Sequence, residues 1–290
     1  MGRYSRLRQI LTLDPERDHA QIYHWMVGYE FPWDFVRALE LALFRTYCVP
    51  SISRLLDATG EFRDRTQKRY DDTSIIVAEW AQHGYDSPRG REALERMNSI
   101  HAQFGIANSD YLYVLSTFIF EPIRWLDRFG WRGLSDHERL ASYYFYRAVG
   151  ERMHLQSMPP TYDAFERFNR DYERQHFRYA PSNNRVGEST RNLFASWFPA
   201  PLRPAVRAGI AAMLTAEIRA AFGFAPPPAG LAAFATVSLK VRGLVLRTFP
   251  PRHKSHFFTE GHIRTYPNGY QLADLGPPRF LERQRAQTNS

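Results

Sequence analysis

The chain has 290 residues, 44% of them hydrophobic, which is enough to bury a large core, and its single cysteine, Cys48, excludes an internal disulfide framework. The net charge of +8 comes from basic residues interspersed with acidic ones, and no zinc-finger or RNP-type signature accompanies them, so nucleic-acid binding is not predicted. Neither end carries a signal-peptide pattern or an apolar run of about 20 residues, which favours a cytoplasmic protein with at most peripheral membrane contact.

Helix signals begin near the N-terminus and continue along most of the chain. Asp14 and Pro15 open a first predicted helix that runs to about Gly28, and Pro32 opens a second that ends before Pro50. Three more predicted helices follow: SISRLLDAT closed by Gly60, Arg65–His83 with Gly84 after it, and the helix from Ser87-Pro88 that carries His101.

The second half of the chain has the same character. Asn108 or Ser109 is predicted to cap a long apolar helix that stops at Gly130, and Ser135 with Glu138 forms a capping box for the next helix. Further helices are predicted over Thr161–Phe177, 203–222 and 229–247. Because strand signals are nearly absent, we predict an all-α fold, a single domain over residues 1–290 with an irregular, wrapped tail at 250–290.

Several catalytic motifs are missing from the sequence. There is no Gly-x-Ser-x-Gly elbow, no Gly-rich phosphate loop and no dinucleotide-binding fingerprint. Cys48 shows no sign of activation and is predicted to be a small buried side chain.

His101 has two interpretations. It lies beside an apolar stripe of Leu94, Met97 and Ile100, as a core histidine bonded to a carbonyl would. An apolar pocket with one axial histidine and nearby arginines is also what a b-type haem requires, because the porphyrin is apolar and its propionates are anionic. The basic residues close in sequence are Arg65, Lys68, Arg69, Arg91 and Arg96.

The predicted helix over residues 65–80 has a polar first half and an apolar second half. It could line the other wall of such a pocket with Arg, Lys and Thr donors, and Asp71 or Asp72 could serve as a base. The alternative is an amphipathic helix whose charged turn is solvated and internally paired.

A non-haem di-iron centre is a third possibility. Glu-x-x-His pairs place a carboxylate and an imidazole on one helix face, as in ferritin-like bundles, but such a centre needs further glutamates from two other helices. The three pairs are Glu16/His19, Glu151/His154 and Glu173/His176.

Longer motifs, spread in order over most of the chain, resemble the rubber-oxygenase (latex-clearing protein) catalytic-domain superfamily. They are most similar to the branch that includes the endoplasmic-reticulum-bound oxygenase of mycophenolic acid biosynthesis. The motifs are DPERDHAQIY (14–23), YEFPWDFVRALELALFRT (29–46), PSISRLL (50–56), TGEF (59–62), RYDDT (69–73), RMNSIHAQFGIANSDYLYVLSTFIFEPIRW (96–125), FGW (129–131) and YPNGY (266–270).

This resemblance implies an all-α fold with a globin-like core, a b-type haem and oxygenase chemistry. His101 matches the histidine that holds the haem iron in latex-clearing proteins. Their distal side carries an arginine and a Lys-Thr pair on the preceding long helix. Thr73 matches the threonine, Arg69 then takes the place of the arginine, and Asp72 replaces the lysine.

A rival register uses Arg65 and Lys68, with Arg69 in place of the threonine. The family's arginine one turn before the proximal histidine is replaced by Asn98, for which Arg96 can substitute. These departures mean that rubber is not carried over as the substrate.

The sequence therefore predicts a haem b-dependent oxygenase that acts with O2 on a lipophilic, unsaturated substrate of the isoprenoid or lipid-like class. In this prediction His101 is the iron ligand. Cofactor binding is also assigned to Arg65, Lys68 and Arg96. The catalytic residues are predicted to be Arg69, Asp72 and Thr73. The alternatives are a non-catalytic haem- or lipid-binding helical protein and the di-iron enzyme.

Overall fold

Capping residues and glycines divide the chain into α-helices, and the computed structural model, which describes residues 2–288, contains no strand in that range. The predicted all-α fold is confirmed. The helices are α1 (Ser5–Ile10), α2 (His19–Trp25), α3 (Pro32–Tyr47), α4 (Pro50–Ala58), α5 (Glu61–Asp64), α6 (Thr66–His83), α7 (Pro88–His101), α8 (Asn108–Phe129), α9 (Asp136–Arg152), α10 (Tyr162–His176), α11 (Pro181–Ser196), α12 (Arg203–Met213), α13 (Ala216–Phe222), α14 (Leu231–Thr248) and α15 (Pro278–Thr288).

Side-chain caps explain several of these boundaries. The Ser87 hydroxyl accepts a hydrogen bond from the Gly90 N–H and opens α7. Ser135 and Glu138 form the predicted capping box of α9. Thr161 opens α10 in the same way as Ser87 opens α7. Each cap satisfies an N–H group that has no partner within its helix.

Three predicted boundaries are wrong. Asp14 does not open a helix, because its carboxylate accepts bonds from the backbone of residues 16 and 17 and holds a turn, so α2 starts only at His19. Asn108 does not cap α8, because its side chain bonds the backbone of Gln156 instead. The helix predicted over 203–222 is two helices, since Thr215 caps a new one.

The core lies between paired helices, α3 along α8 and α2 along α9, while α6 packs along α7. Tyr23 of α2 stacks on Phe145 of α9 with ring centroids 4.1 Å apart, and its hydroxyl is hydrogen-bonded to that of Tyr146 over 2.9 Å. Cys48 is buried in a second aromatic cluster around α3, α11 and α13, as predicted. Burial raises the pKa of its thiol, so it is an unreactive packing residue.

The segment after α14 returns over α6 and α7. Buried carboxylates of α6 accept hydrogen bonds from its backbone. The Thr265 N–H donates to Asp71 and the Gly276 N–H donates to Asp72, both over 2.9 Å. The tail then ends in α15, a helix that the sequence did not predict. Long-range hydrogen bonds therefore give this turn-rich segment a defined path.

The beginning of the tail also seals one wall of the interior. The His256 N–H donates to the Gly28 carbonyl over 2.8 Å. The ring of Phe257 then packs directly on Gly28, where a Cβ atom would collide with it. A glycine is needed here for close approach of the aromatic ring.

Candidate functional site

Arg69 and Thr73 lie one helical turn apart on α6 and are hydrogen-bonded to each other. The Arg69 guanidinium donates to the Thr73 hydroxyl oxygen, and that hydroxyl donates to the Arg69 carbonyl over 3.0 Å. The guanidinium also lies over the ring of Phe62, 5.8 Å from its centroid. The pair is thus fixed in position on one face of the helix.

His101 is the last residue of α7, and its ring lies 5.4 Å from that of Tyr111 at the start of α8. Its Nδ1 atom is buried, and no hydrogen-bond partner for it is found within residues 2–288. Burial lowers the pKa of His101 to about 4, and the positive charge of Arg69 acts in the same direction. The imidazole is therefore neutral at physiological pH and has unused bonding capacity.

Because His101 lies at a helix C-terminus, two effects act on its pKa in opposite directions, the helix dipole and the desolvation of the ring. A helix C-terminus favours a cation, typically by 0.3–1 kcal/mol, and would raise the pKa. A fall from 6.5 to about 4 corresponds to roughly 3 kcal/mol in the opposite direction. Desolvation therefore exceeds the helix dipole, and the surroundings of the ring disfavour protonation.

Two cavities meet at α6. The larger, of about 680 Å³ including the space at its mouth, lies between α3, α6 and the start of the tail. The smaller, of about 260 Å³, is lined by Arg69. Thr73 lines both cavities, whereas His101 lines neither of the two. Thr73 thus lies between the two cavities, and Arg69 is close enough to His101 for its positive charge to lower the pKa of that ring.

Four other predicted site residues, Asp72, Lys68, Arg96 and Arg65, do not join this group. The buried Asp72 carboxylate accepts bonds from Lys68 Nζ (2.9 Å), Tyr266 Oη (2.6 Å) and the Gly276 N–H (2.9 Å). Lys68 also donates to the Asp274 carbonyl over 3.1 Å. Both side chains hold the tail, so Asp72 is saturated with donors and is poorly placed to act as a base.

Arg96 is also engaged with the tail. Its Nε donates to the Leu275 carbonyl over 2.7 Å, and its Nη2 donates to the Ala273 carbonyl. Its guanidinium lies 4.6 Å from the centroid of Phe280 in α15. Desolvation lowers the pKa of this arginine, whose neighbours are mainly backbone carbonyls.

The rival register and the arginine replacement can be described in the same way. Arg65 forms a two-pronged ion pair with Glu61, over 2.7 and 2.9 Å, and its side chain is 40% exposed. Asn98 donates to the Arg152 carbonyl over 2.9 Å and so links α7 to α9. Neither side chain contributes to the Arg69–Thr73 pair.

The Glu-x-x-His pairs do not converge. His19 bonds Tyr85, and Glu173 bonds Arg45. His154 lies after α9 in a left-handed conformation at the surface. Within residues 2–288, no three His, Cys, Asp or Glu side chains are grouped so that they could hold a metal ion, as the di-iron alternative requires.

A further polar group, which sequence reasoning missed, lines the larger cavity. The Tyr70 hydroxyl donates to Glu40 Oε1 over 2.8 Å, and Arg37 Nη2 donates to the same oxygen over 2.6 Å. Burial raises the pKa of Glu40 to about 7, against the lowering effect of Arg37 and of the Tyr70 hydrogen bond. The signal in the sequence was a lone carboxylate between Leu39 and Leu41 in a buried helix.

With the site described, comparison with known proteins identifies the family. Residues 25–244, more than half of the chain, match the family model described as "ER-bound oxygenase mpaB/B'/Rubber oxygenase, catalytic domain". The chain is 29% identical over 268 residues to the ER-bound oxygenase mpaB' of Penicillium brevicompactum, covering 86% of this chain and 63% of that protein.

Two further relatives carry the name ER-bound oxygenase mpaB. The identity is 30% over 217 residues for the Penicillium brevicompactum protein, covering 68% of this chain and 55% of that protein. It is 33% over 160 residues for the Penicillium roqueforti (strain FM164) protein, covering 53% of this chain and 54% of that protein. The chain thus spans less than two thirds of the length of each of these relatives.

The matched range includes α3, α6 and α7, and with them Arg69, Thr73 and His101. The resemblance inferred from the sequence motifs is confirmed. The chain belongs to the oxygenase family of the mpaB/B' and rubber-oxygenase catalytic domains.

Proposed function

We propose that the protein is a haem b-dependent oxygenase that acts with O2 on a lipophilic, unsaturated substrate of the isoprenoid or lipid-like class, with His101 as the axial iron ligand. Membership of an oxygenase family supports the reaction class. The observation that carries the assignment of the ligand is the half-buried, neutral imidazole of His101, whose buried Nδ1 has no hydrogen-bond partner among the described residues.

The donor set of the chain fits a haem. Iron in a b-type haem takes a neutral imidazole, and the anionic propionates need cations. His101 supplies the first, and Arg69 is the nearby cation whose charge its ring experiences. An unpartnered buried nitrogen is costly in a protein interior, and a metal–nitrogen bond would remove that cost. The bound haem would supply the oxygen chemistry, which amino-acid side chains alone do not provide.

The protein's own contribution begins with protonation and orientation. Because the pKa of His101 is about 4, its ring stays unprotonated and able to bind a metal throughout the neutral range. Arg69 would present its remaining N–H donors to a polar group held between the two cavities, and Thr73 would hold the guanidinium in position. We assign Lys68, Asp72 and Arg96 to positioning, since their hydrogen bonds hold the tail against α6 and α7.

The larger cavity would hold the substrate. Its wall is mostly aliphatic and aromatic, with Val36, Leu39, Val77 and Phe118 among the lining residues. Such a surface binds an apolar chain and excludes water from it.

The test is an absorption spectrum of the purified protein, expressed with adequate haem supply, with haem quantified as the pyridine haemochrome. We expect a strong Soret band that His101→Ala largely abolishes while helix content by circular dichroism is retained. His154→Ala, at an exposed position, is the control and should keep its haem. Full haem content in His101→Ala would place the ligand elsewhere.

Oxygen consumption separates an enzyme from a haem- or lipid-binding protein. Reduced protein in air should consume O2 above background when a polyprenyl or polyunsaturated substrate is added. Consumption at background level by a haem-loaded protein would instead support the non-catalytic alternative.

Peripheral contact with a membrane is part of this proposal. In the described part of the chain no helix has both the length and the apolar character needed to span a bilayer. The relatives are named ER-bound, and the net charge of +8 favours an anionic surface.

A further inference from the structure

The larger cavity contains one carboxylate, Glu40, which the chemistry proposed above does not use. Glu40 lies in the middle of α3 and is only 8% exposed. A buried carboxylate in an otherwise apolar wall is expensive unless its oxygens are hydrogen-bonded. The arrangement of its partners therefore indicates what else binds there.

Both protein hydrogen bonds reach the same oxygen. Tyr70 and Arg37 donate to Oε1, over 2.8 and 2.6 Å, and among residues 2–288 no hydrogen bond to Oε2 is found. Tyr70 is held in turn by edge contacts with Phe194 and Trp197. The carboxylate is thus fixed from one side, with its second oxygen left as an available acceptor in the cavity wall.

The other polar atoms of the cavity are few. Thr73 and Ser74 lie on α6, next to Tyr70, and His256 lies on the tail wall. The remaining lining is aliphatic or aromatic, with Leu39, Leu43, Val77 and Phe118 among the residues. The complementary ligand is a long apolar body with a single hydrogen-bond donor.

We propose that Glu40 Oε2 accepts a hydrogen bond from a ligand hydroxyl, so that the larger cavity selects alcohols or phenols with an apolar chain over the matching ethers and hydrocarbons. This inference rests on the proposed function to the extent that the ligand is the oxygenase substrate. An anchored hydroxyl would also fix which carbon of the chain lies beside Thr73, which lines the same cavity.

The test is a binding titration at pH 8 with the full chain as purified, using a C15 isoprenoid alcohol, its methyl ether and the matching hydrocarbon. A hydrogen bond to a charged group typically contributes about 1.5–3 kcal/mol, so the alcohol should bind roughly tenfold or more tightly than the ether. Equal affinity of wild-type protein for alcohol and ether would overturn the proposal without any variant.

Glu40→Gln keeps the shape of the side chain and removes the charge. It should reduce the preference for the alcohol to within about threefold and leave ether affinity unchanged, which also verifies that the cavity is intact. Glu151→Gln, at an exposed position, is the control and should keep the preference. A preference that persists in Glu40→Gln would contradict the role of this carboxylate.

This experiment needs neither O2 nor turnover. A protein that prefers the alcohol but lacks haem would retain the binding site and refute the oxygenase proposal. A haem protein that consumes O2 but binds alcohol and ether equally would support the oxygenase proposal and refute the role of Glu40 in binding a hydroxyl.

A second inference concerns α14 and rests on a separate observation. Phe234, Val237, Val241, Leu244 and Val245 recur at helical spacing on one face, and they are between 49% and 69% exposed. A contiguous apolar face of this kind is uncommon on a soluble surface unless something binds it.

The opposite face of the helix is fixed to the core. Gly243 packs against the backbone carbonyl of Gly130, and Arg242 forms an ion pair with the buried Asp34 over 2.9 Å. Because α14 is held from this side, its apolar face points away from the core.

The chain segment that contains this face carries charge of one sign. Residues 218–259 contain no Asp or Glu, and six Lys or Arg: Arg219, Lys240, Arg242, Arg247, Arg252 and Lys254. Lys240 and Arg247 are exposed on the same helix as the apolar face. An apolar stripe flanked by cations matches the interface of a bilayer with anionic lipids, where each basic residue contributes about 1 kcal/mol.

We infer that α14 lies along an anionic membrane surface with its apolar face in the headgroup region. Vesicle co-sedimentation with phosphatidylcholine containing 30% phosphatidylserine should show binding that weakens in phosphatidylcholine alone and at high salt. Leu244→Glu should weaken binding roughly tenfold or more, whereas Leu11→Glu, at another exposed apolar position, should not.

Two results would overturn this inference. One is equal vesicle binding by Leu244→Glu and wild-type protein. The other is a dimer in solution that Leu244→Glu converts to a monomer while neither form binds vesicles, because the partner of the face would then be a second copy of the chain.

Discussion

His101 and Glu40 are two enclosed ionisable groups whose pKa values move in opposite directions. Burial disfavours the charged form of each, so the pKa of the imidazole falls to about 4 and that of the carboxyl rises to about 7. Both side chains are therefore mainly uncharged at mildly acidic pH. Their contributions to stability have opposite pH dependence.

For His101, the unfolded state binds more protons than the folded state between pH 4 and 6.5, because the folded pKa is the lower one. In haem-free protein its contribution is constant above about pH 6.5 and is lost as the pH falls towards 4, by about 3 kcal/mol in total. Urea unfolding at pH 7.5 and 4.5 should show wild type losing more stability than His101→Gln. Parallel losses in the two proteins would contradict the burial of this ring.

For Glu40, the folded state binds more protons between pH 4.5 and 7, so stability from this group falls as the pH rises through that window. Glu40→Gln removes the ionisation, and its stability relative to wild type should increase by about 3 kcal/mol between pH 4.5 and pH 8. Denaturant unfolding across this range measures the difference. A constant difference at all pH values would show that the carboxylate is solvated.

Thr73 is the residue that lines both cavities, and its hydroxyl is bonded to Arg69. Thr73→Val keeps the shape and removes the hydroxyl that fixes the Arg69 guanidinium, so we expect haem content to be unchanged and kcat for O2 consumption to fall by up to the order of 10², as when one preorganised donor is lost. Thr190→Val is the matched control, because Thr190 lines the smaller cavity and its hydroxyl donates to the Val186 carbonyl of its own helix. Normal turnover in Thr73→Val would refute the proposed distal role.

At the scale of elements, α6 explains why the sequence left two registers open. One register used Arg69, Asp72 and Thr73, and the other used Arg65, Lys68 and Arg69. The contacts follow neither grouping, because Lys68 pairs with Asp72 and Arg69 pairs with Thr73, each over four residues of helix. Sequence spacing cannot tell which pair faces the interior, because the tail that captures Lys68 and Asp72 lies about two hundred residues later in the chain. The structure leaves the other pair, Arg69/Thr73, at the cavities.

The attachment of the tail to α6 gives a prediction for stability. Asp72 is buried whereas Lys68 is only partly buried, so Asp72→Asn leaves Lys68 without its counter-charge, and the cost of about 3–5 kcal/mol for breaking a fully buried pair is the upper limit here. We expect a lower unfolding free energy and faster limited proteolysis within residues 261–277. Asp57→Asn, which breaks an exposed pair with Arg185, should cost at most about 1 kcal/mol. Equal protease resistance of the two variants would refute the role of Asp72 as the anchor.

Over the whole molecule, local signals predicted the helices and failed where distant contacts decide. Ser87, Ser135 and Thr161 cap helices as expected, since each interaction lies within three residues. The tail looked irregular because its order comes from buried carboxylates on α6. The globin-like arrangement of the core stays a prediction.

In the candidate site, too, local sequence identified some residues and missed those whose partners are distant in the chain. His101 could be singled out because its apolar stripe and the surrounding motif are contiguous in sequence. Glu40 could not, since its donor Tyr70 lies 30 residues away on another helix and only packing brings the two together. A carboxylate flanked by leucines on a buried helix was the sole local sign.

The clamp of Arg96 on the tail has a consequence for biosynthesis. Arg96 lies on α7, little more than one turn before His101, and is fixed by the carbonyl groups of Leu275 and Ala273. On the ribosome, α7 cannot reach its final position until those later residues have emerged. We therefore expect the haem proposed above to bind late, after residues 273–275 have left the ribosome, and not while the middle of the chain is being made.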